Sequence, residues 1–201
     1  MRKSLLVLLG ALLLLTPASA QVVFVLLEEH FEGDRFPPDE WNVYNYYGYY
    51  GWERNDSTGR PNYAGSGYCA IADSLGHDNC SMDTFLSTPE LDLTGYSTAE
   101  LEFNMSYTHA NDIVLLLLNI SGQPKQVLET WDSSYSGKVT IDLTPYCGNK
   151  TKLEWLYHGQ GGWCEIDDVR VTAGTAAIPE FPGFALVLAV LASILGVLLR
   201  R

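Results

Sequence analysis

The sequence predicts an all-β domain, a sandwich of two antiparallel sheets, and three observations predict it. Ten short runs rich in Val, Ile, Leu, Thr and Tyr recur between clusters of turn residues, one long run alternates strictly between apolar and polar positions, and helical periodicity is nearly missing between the two termini. In order the runs are Val22 to Leu27, Glu40 to Tyr47, Gly67 to Ala72, Asp83 to Ser87, Ala99 to His109, Asp112 to Ile120, Lys125 to Trp131, Gly137 to Asp142, Lys152 to His158 and Cys164 to Thr172. In the fifth, Leu101, Phe103, Met105 and Tyr107 alternate with Glu100, Glu102, Asn104 and Ser106, as a half-buried antiparallel strand requires. Ile113 to Leu118 is apolar throughout and predicts a central strand covered on both faces. Pro37, Pro38 and Pro89 lack a ladder donor and belong at strand ends or edges. Trp41, Trp52, Trp131, Trp155 and Trp163 are the large fillers of the expected two-sheet core.

Membrane signals flank this body. Arg2-Lys3, the apolar Leu5 to Leu15 and Ala18-Ser19-Ala20 read as a secretory signal peptide cleaved after Ala20; an uncleaved anchor is the alternative, because apolar residues resume at Val22. At the other end, Ala185 to Leu199 is uncharged and Arg200-Arg201 close the chain. Counted from Phe181, about nineteen residues reach roughly 28 Å as a helix, near the ~30 Å hydrocarbon core of a bilayer, with the arginines on the cytoplasmic side. The predicted organisation is a signal peptide over 1–20, a β-sandwich over 21–174, a linker over 175–183 and a transmembrane helix with its basic end over 184–201.

Composition narrows the function. Leaving out Arg2, Lys3, Arg200, Arg201 and Glu180, the segment Gln21 to Ile178 holds 8 basic and 23 acidic residues, a formal balance of −15. Such a domain repels nucleic acid and anionic lipid, whose binding needs clustered Lys and Arg. Cys69, Cys80, Cys147 and Cys164 form an even set in an exported segment and read as two disulfides out of three possible pairings. Short rings favour Cys69 with Cys80 and Cys147 with Cys164, each contributing roughly 3 kcal/mol. Zinc lacks any Cys-x-x-Cys spacing. Asn55, Asn79, Asn104, Asn119 and Asn149 each open an Asn-x-Ser/Thr acceptor and predict a glycosylated surface.

The order of short motifs resembles the MAM-like jelly rolls known as choice-of-anchor J or cleaved-adhesin domains. It runs from Phe31-Glu32-Gly33 through Phe36-Pro37-Pro38, Trp41, Gly51-Trp52-Glu53-Arg54, Gly65-Ser66-Gly67 and Asp73. It continues with Asp83 to Pro89, Leu91-Asp92-Leu93, Leu101-Glu102-Phe103, Val139 to Leu143 and Ile166-Asp167-Asp168-Val169. The resemblance implies a jelly-roll sandwich; the four cysteines depart from its bacterial members. The C-terminal tail resembles archaeal sorting signals, Pro179-Glu180-Phe181 matching the PEF-CTERM form and Pro182-Gly183-Phe184 the PGF-CTERM form. That resemblance implies cleavage by an archaeosortase-like enzyme and transfer to lipid, the alternative being a helix that stays in the membrane.

Candidate chemistry lies with carboxylates and aromatics. Glu32 near the first strand and Asp167-Asp168 in the last come together if those strands are neighbours, and grouped hard oxygens suit Ca2+. The resemblance implies a structural calcium of this kind, with Asp34 and Asp73 as further ligands. Tyr44, Tyr46, Tyr47, Tyr49, Tyr50 and Trp52, interrupted by Gly48 and Gly51, predict a sugar- or protein-contact surface, although period-two burial accounts for half of them. No His-Glu-x-x-His or Gly-x-Ser-x-Gly occurs, and His30, His77, His109 and His158 are scattered. The expected function is a surface-anchored adhesion or recognition module for carbohydrate or protein, stiffened by calcium. A glycosylated structural envelope protein is the alternative, and a surface hydrolase the third reading.

Overall fold

The computed structural model describes residues 21–176, and the signal peptide, sorting motif and C-terminal helix expected from the sequence lie outside them. Among the described residues no helix is long and apolar enough to cross a membrane. Twelve strands form the domain: β1 (Val23–Glu29), β2 (Asn42–Tyr47), β3 (Glu53–Arg54), β4 (Ala70–Asp73), β5 (Met82–Ser87), β6 (Leu91–Asp92), β7 (Thr98–Thr108), β8 (Asn111–Ile120), β9 (Gln126–Trp131), β10 (Tyr135–Asp142), β11 (Lys150–Gln160) and β12 (Trp163–Gly174). One short helix, α1 (Asn55–Thr58), follows β3 and is ended by Gly59 in the left-handed region. All ten predicted runs are strands; β3 and β6, of two residues each, carry no periodic pattern to betray them.

Two antiparallel sheets face each other. The first has the order β10-β7-β12-β4-β3 with β1 also paired to β12; the second has the order β2-β5-β11-β8-β9 with β6 added to β11. The first and last strands are therefore neighbours, Val23 opposite Gly174 and Glu29 opposite Val169. Alternation along β7 buries Leu101, Phe103, Met105 and Tyr107 against the facing sheet, as expected. On β8, Val114, Leu116, Leu118 and Ile120 enter the core, while Ile113 and Leu115 are only half-buried on the outer face. The strand lies next to the edge strand β9, so the prediction of a central strand covered on both sides is corrected.

Trp155 is the hub of the core. It stacks on Trp41 at 6.2 Å and meets Phe103 edge-on at 5.3 Å, and Phe103 in turn meets Trp131 at 6.2 Å. Such contacts add to the large area that each ring removes from water. Four of the five tryptophans fill the space between the sheets; Trp163 packs on the outer face of the first sheet under Tyr63 and the Arg60 guanidinium.

All four cysteines are free thiols, which corrects the predicted disulfides. Register gives the reason. Cys164 lies opposite Tyr107 on β7, whereas Cys147 follows a 3-10 turn (Thr144–Tyr146) anchored by Leu143 to Ala99. Eight residues along a strand is roughly 26 Å. The Cys80 carbonyl accepts the Ser74 hydroxyl at 2.6 Å, and Ser74 stands five residues beyond Cys69, about 16 Å along the extended β4. Each cysteine is thereby held near an anchor that lies well beyond the usual limit of about 7 Å between bridged Cα atoms from its expected partner. Burial pushes the Cys69 and Cys164 thiols far above their ordinary range, so neither is a nucleophile.

Candidate functional site

Along β12, Cys164 and Ile166 point into the core, so Trp163, Glu165 and Asp167 share the outer face. The segment from Arg60 to Tyr68 folds over that face and hydrogen-bonds to it. Tyr63 N–H donates to Glu165 Oε2 at 2.7 Å, Asn62 Nδ2 donates to Asp167 Oδ2 at 2.8 Å, and Tyr68 N–H donates to Glu32 Oε1 at 2.8 Å. Two glycines let the loop come this close. A Cβ on Gly65 would stand 2.2 Å from Asp167 Oδ2, and one on Gly67, at φ +73°, would stand 2.0 Å from Glu32 Oε1. Phe31 helps to aim Glu32: at φ +58° it turns the chain after β1, drops its own ring into the core beside Trp41, and leaves the next side chain for the loop.

Glu165 and Asp167 are costly to ionise. Burial pushes the Glu165 carboxyl up to about 7 against the pull of the Tyr63 N–H and Arg60, and its Oε1 has no hydrogen-bond partner. Burial also raises Asp167 to about 6; hydrogen bonds from Asn62 and the Asp168 N–H oppose this, and the charges of Asp168 and Glu32 add to it. The remaining predicted ligands stand elsewhere. Asp73 is buried and held in a two-pronged pair by Arg60, with Nε and Nη2 each 2.9 Å from a carboxylate oxygen. Asp168, at φ +51° in the β12 bulge, takes His30 Nδ1 at 2.7 Å and Asn104 Nδ2 at 2.8 Å. Asp34 lines a separate shallow pocket with Arg35 and Arg54. Of the five expected ligands, only Glu32 and Asp167 meet beneath one loop, which corrects the single five-residue constellation. Among the described residues no group of three or more His, Cys, Asp or Glu is arranged to hold a metal ion. Glu165, absent from the sequence-derived set, shares the parity of Asp167, and that parity was its one sequence signal.

The aromatic segment divides into three parts. A register shift between Asn45 and Tyr47 bulges β2 at Tyr46, leaving Tyr46 73% and Tyr47 65% exposed. Together they border a cleft of about 560 Å³ whose polar rim is Asp83, Asn111, His158 and Gln160. His158 and Asp83 are cross-strand neighbours, with Nδ1 and Oδ1 3.5 Å apart. Tyr50 instead stacks on His77 at 3.7 Å, with Tyr49 edge-on to it at 5.1 Å, and His77 Nε2 contacts Glu53 Oε1 at 2.5 Å. Trp52 is 4% exposed and donates its Nε1–H to the Thr84 carbonyl at 3.2 Å. It is a core residue, and its assignment to the contact surface is corrected. The cleft's polar groups had no sequence signal, because strand pairing assembles them from β5, β8 and β11.

Burial also sorts the glycan acceptors. Asn55 is 5% exposed, its amide donating to the Arg60 carbonyl, so a glycan there is excluded by the folded domain. The amides of Asn104, Asn119 and Asn149 are engaged by Asp168, Glu154 and the Tyr146 carbonyl. Asn79, in a left-handed turn, is the exposed member of the five.

No known protein family matches this sequence, and no curated protein matches it either. Solved structures do. The K1 cleaved adhesin domain of Lys-gingipain from Porphyromonas gingivalis W83 superposes with a TM-score of 0.57 at 20% identity, over 75% of this chain and 97% of that one. The K3 cleaved adhesin domain of the same protein gives 0.54 at 19%, over 74% and 99%. TmCBM61, solved in complex with β-1,4-galactotriose, gives 0.50 at 18%, over 71% and 92%. The shared property is the jelly-roll sandwich, and it covers nearly the whole of each neighbour.

Proposed function

We propose that this domain is a carbohydrate-recognition module of the cell surface that binds without turnover. The observation that carries the reading is the cleft: two tyrosines are held exposed over a space of about 560 Å³. A carboxylate, an imidazole and two amides line the same cleft. Flat rings take the apolar face of a pyranose, and convergent polar groups take its hydroxyls. The likeness in fold to adhesin domains and to a galactotriose-binding module supports it. The double variant Tyr46→Ala, Tyr47→Ala tests it by affinity electrophoresis through gels containing neutral polysaccharides. Retardation of the parent protein that the variant loses, with its melting temperature unchanged, supports the reading; equal migration of the two in every gel removes it.

A second proposal is a Ca2+ bound between Glu32 and Asp167. The observation favouring it is that one loop closes over both carboxylates at Gly65 and Gly67, bringing two hard oxygen donors beneath it. Surface anchoring, by a retained helix or by sorting at Pro179-Glu180-Phe181 through an archaeosortase-like enzyme, is supported by the apolar run Ala185 to Leu199 and its basic end.

A further inference from the structure

The two ends of the sandwich differ in charge. At one end β1 begins and β12 finishes, Val23 opposite Gly174, and β7 begins beside them. Backbone hydrogen bonds knit this end together: Ser97 N–H donates to the Gly174 carbonyl at 2.8 Å, Leu93 N–H to the Asn149 carbonyl at 2.9 Å, and Leu143 N–H to the Ala99 carbonyl at 2.9 Å. The segments that meet there, 21–27, 93–99, 120–124, 143–149 and 171–176, contain no charged residue, in a chain that is 18% charged. At the rim, Asp92 and Lys150 pair with each other at 3.6 Å. The opposite end, where β5, β8 and β12 begin, carries Asp78, Asp83, Asp112 and Asp132.

The uncharged end is also apolar and open. Val23, Phe24 and Val25, successive residues of β1, are 62%, 42% and 48% exposed. Neighbours along a strand point to opposite faces, so neither face of β1 is covered at its start. Phe24 meets Tyr96 edge-on at 5.8 Å, which carries the patch onto the segment before β7, and the half-buried Tyr146 lies in the 3-10 turn at the same end. Single apolar side chains on a surface are ordinary; a contiguous patch of them is not. The ten residues from Thr175 to Phe184 separate Gly174 from the uncharged run Ala185 to Leu199. Fully extended they reach at most about 35 Å, so the tether permits this end to touch a bilayer without imposing it.

We infer that the uncharged end is a lipid-docking surface, resting on the bilayer that anchors the chain with Val23, Phe24 and Tyr96 in the headgroup zone. The inference rests on the anchoring reading given above and goes beyond it, because a tethered domain need not touch its membrane. Apolar and aromatic side chains gain by leaving water for the interface. The rest of the domain, with its balance of −15, is repelled by anionic headgroups, so the uncharged end is the part that can approach a leaflet closely. A second copy adding to the free edge of β1 is disfavoured by the bulge between Val25 and Leu27 and by Glu28 and Glu29 beyond it. Docking in this way fixes orientation: the cleft beside Tyr46 and Tyr47, at the other end of the sandwich, faces away from the membrane.

The test uses the full chain reconstituted in vesicles of phosphatidylcholine brominated near the top of its acyl chains, since bromine quenches nearby indole fluorescence. Phe24→Trp and Tyr146→Trp place reporters at the uncharged end, and Tyr49→Trp places one at the other end, where Tyr49 is 89% exposed. The parent supplies the background of the five native tryptophans, and thermal melting confirms that each variant folds. The protein should float with the vesicles in a density gradient, and each of the first two reporters should lose about half of its added emission while Tyr49→Trp loses none. Floating protein whose three reporters are quenched alike, or not at all, overturns the docking surface and leaves the anchor standing; a cross-linked dimer in those vesicles would then assign the patch to a second copy. Protein left behind when the vesicles float overturns the anchoring reading, and the docking surface with it.

Discussion

Replacing Glu165 by Gln should reverse a pH-dependent weakness built into the outer face of the first sheet. In the folded domain burial holds this carboxyl at about 7, against an ordinary value of 4.5. Between those pH values the unfolded chain has released the proton and the folded chain has kept it, so folding stability falls as pH rises and the loss is complete above about 7. The gap between 4.5 and about 7, in which the Arg60 charge is already included, corresponds to about 3 kcal/mol if unscreened; screening by nearby solvent reduces it, leaving about 1–3 kcal/mol. Gln retains an acceptor for the Tyr63 N–H but has no charge to desolvate. The variant and the parent are to be melted in EDTA at pH 5 and pH 8. Between the two pH values, their stability difference should move in favour of Glu165→Gln by about 1–3 kcal/mol, or roughly 2–10 °C for a domain of this size. Comparing two pH values removes any constant cost of seating the Gln amide beside the unpartnered atom. A difference that stays the same at both pH values, or moves toward the parent, refutes the argument that burial dominates this group.

Other outcomes follow from the same contacts. Arg60→Met leaves Asp73 buried and unpaired and should lower stability by about 3–5 kcal/mol in denaturant titrations; a loss below 1 kcal/mol would show that Asp73 reaches water. Trp155→Ala should cost about 3–5 kcal/mol by opening a cavity between Trp41 and Phe103, read from the same titration. Gly67→Ala forces a side chain into the Glu32 carboxylate at a left-handed position, so it should lower the melting temperature and remove any rise produced by added calcium. Denatured protein without reductant should take up four alkyl groups by mass spectrometry, one for each free thiol; two or none would restore the disulfides.

The parts of this fold legible in the sequence are those governed by short-range alternation. The pattern from Leu101 to Tyr107 defines β7 and its core face without any knowledge of its partners. Properties that depend on pairing were hidden. Loop length suggested Cys147 with Cys164, yet antiparallel register carries them to opposite ends of the first sheet. A bulge at Tyr46 leaves the adjacent Tyr46 and Tyr47 both exposed, which strict alternation along β2 would forbid, and the buried Trp52 lies beyond the end of that strand. The expectation that Glu32 and Asp167 share a site depended on β1 lying beside β12, which it does, but Asp73 was claimed by Arg60, a residue thirteen positions before it. Asp83 and His158, far apart in sequence, could be joined only by the register of β5 and β11.

The central claim is recognition of sugar by this domain, and glycan-array binding of the protein in calcium-containing buffer tests it most directly. The account predicts hits confined to neutral glycans, extended chains above single sugars, and lost with Tyr46→Ala, Tyr47→Ala. A bare array, or hits dominated by sulfated or uronic-acid glycans that survive both substitutions, would contradict it.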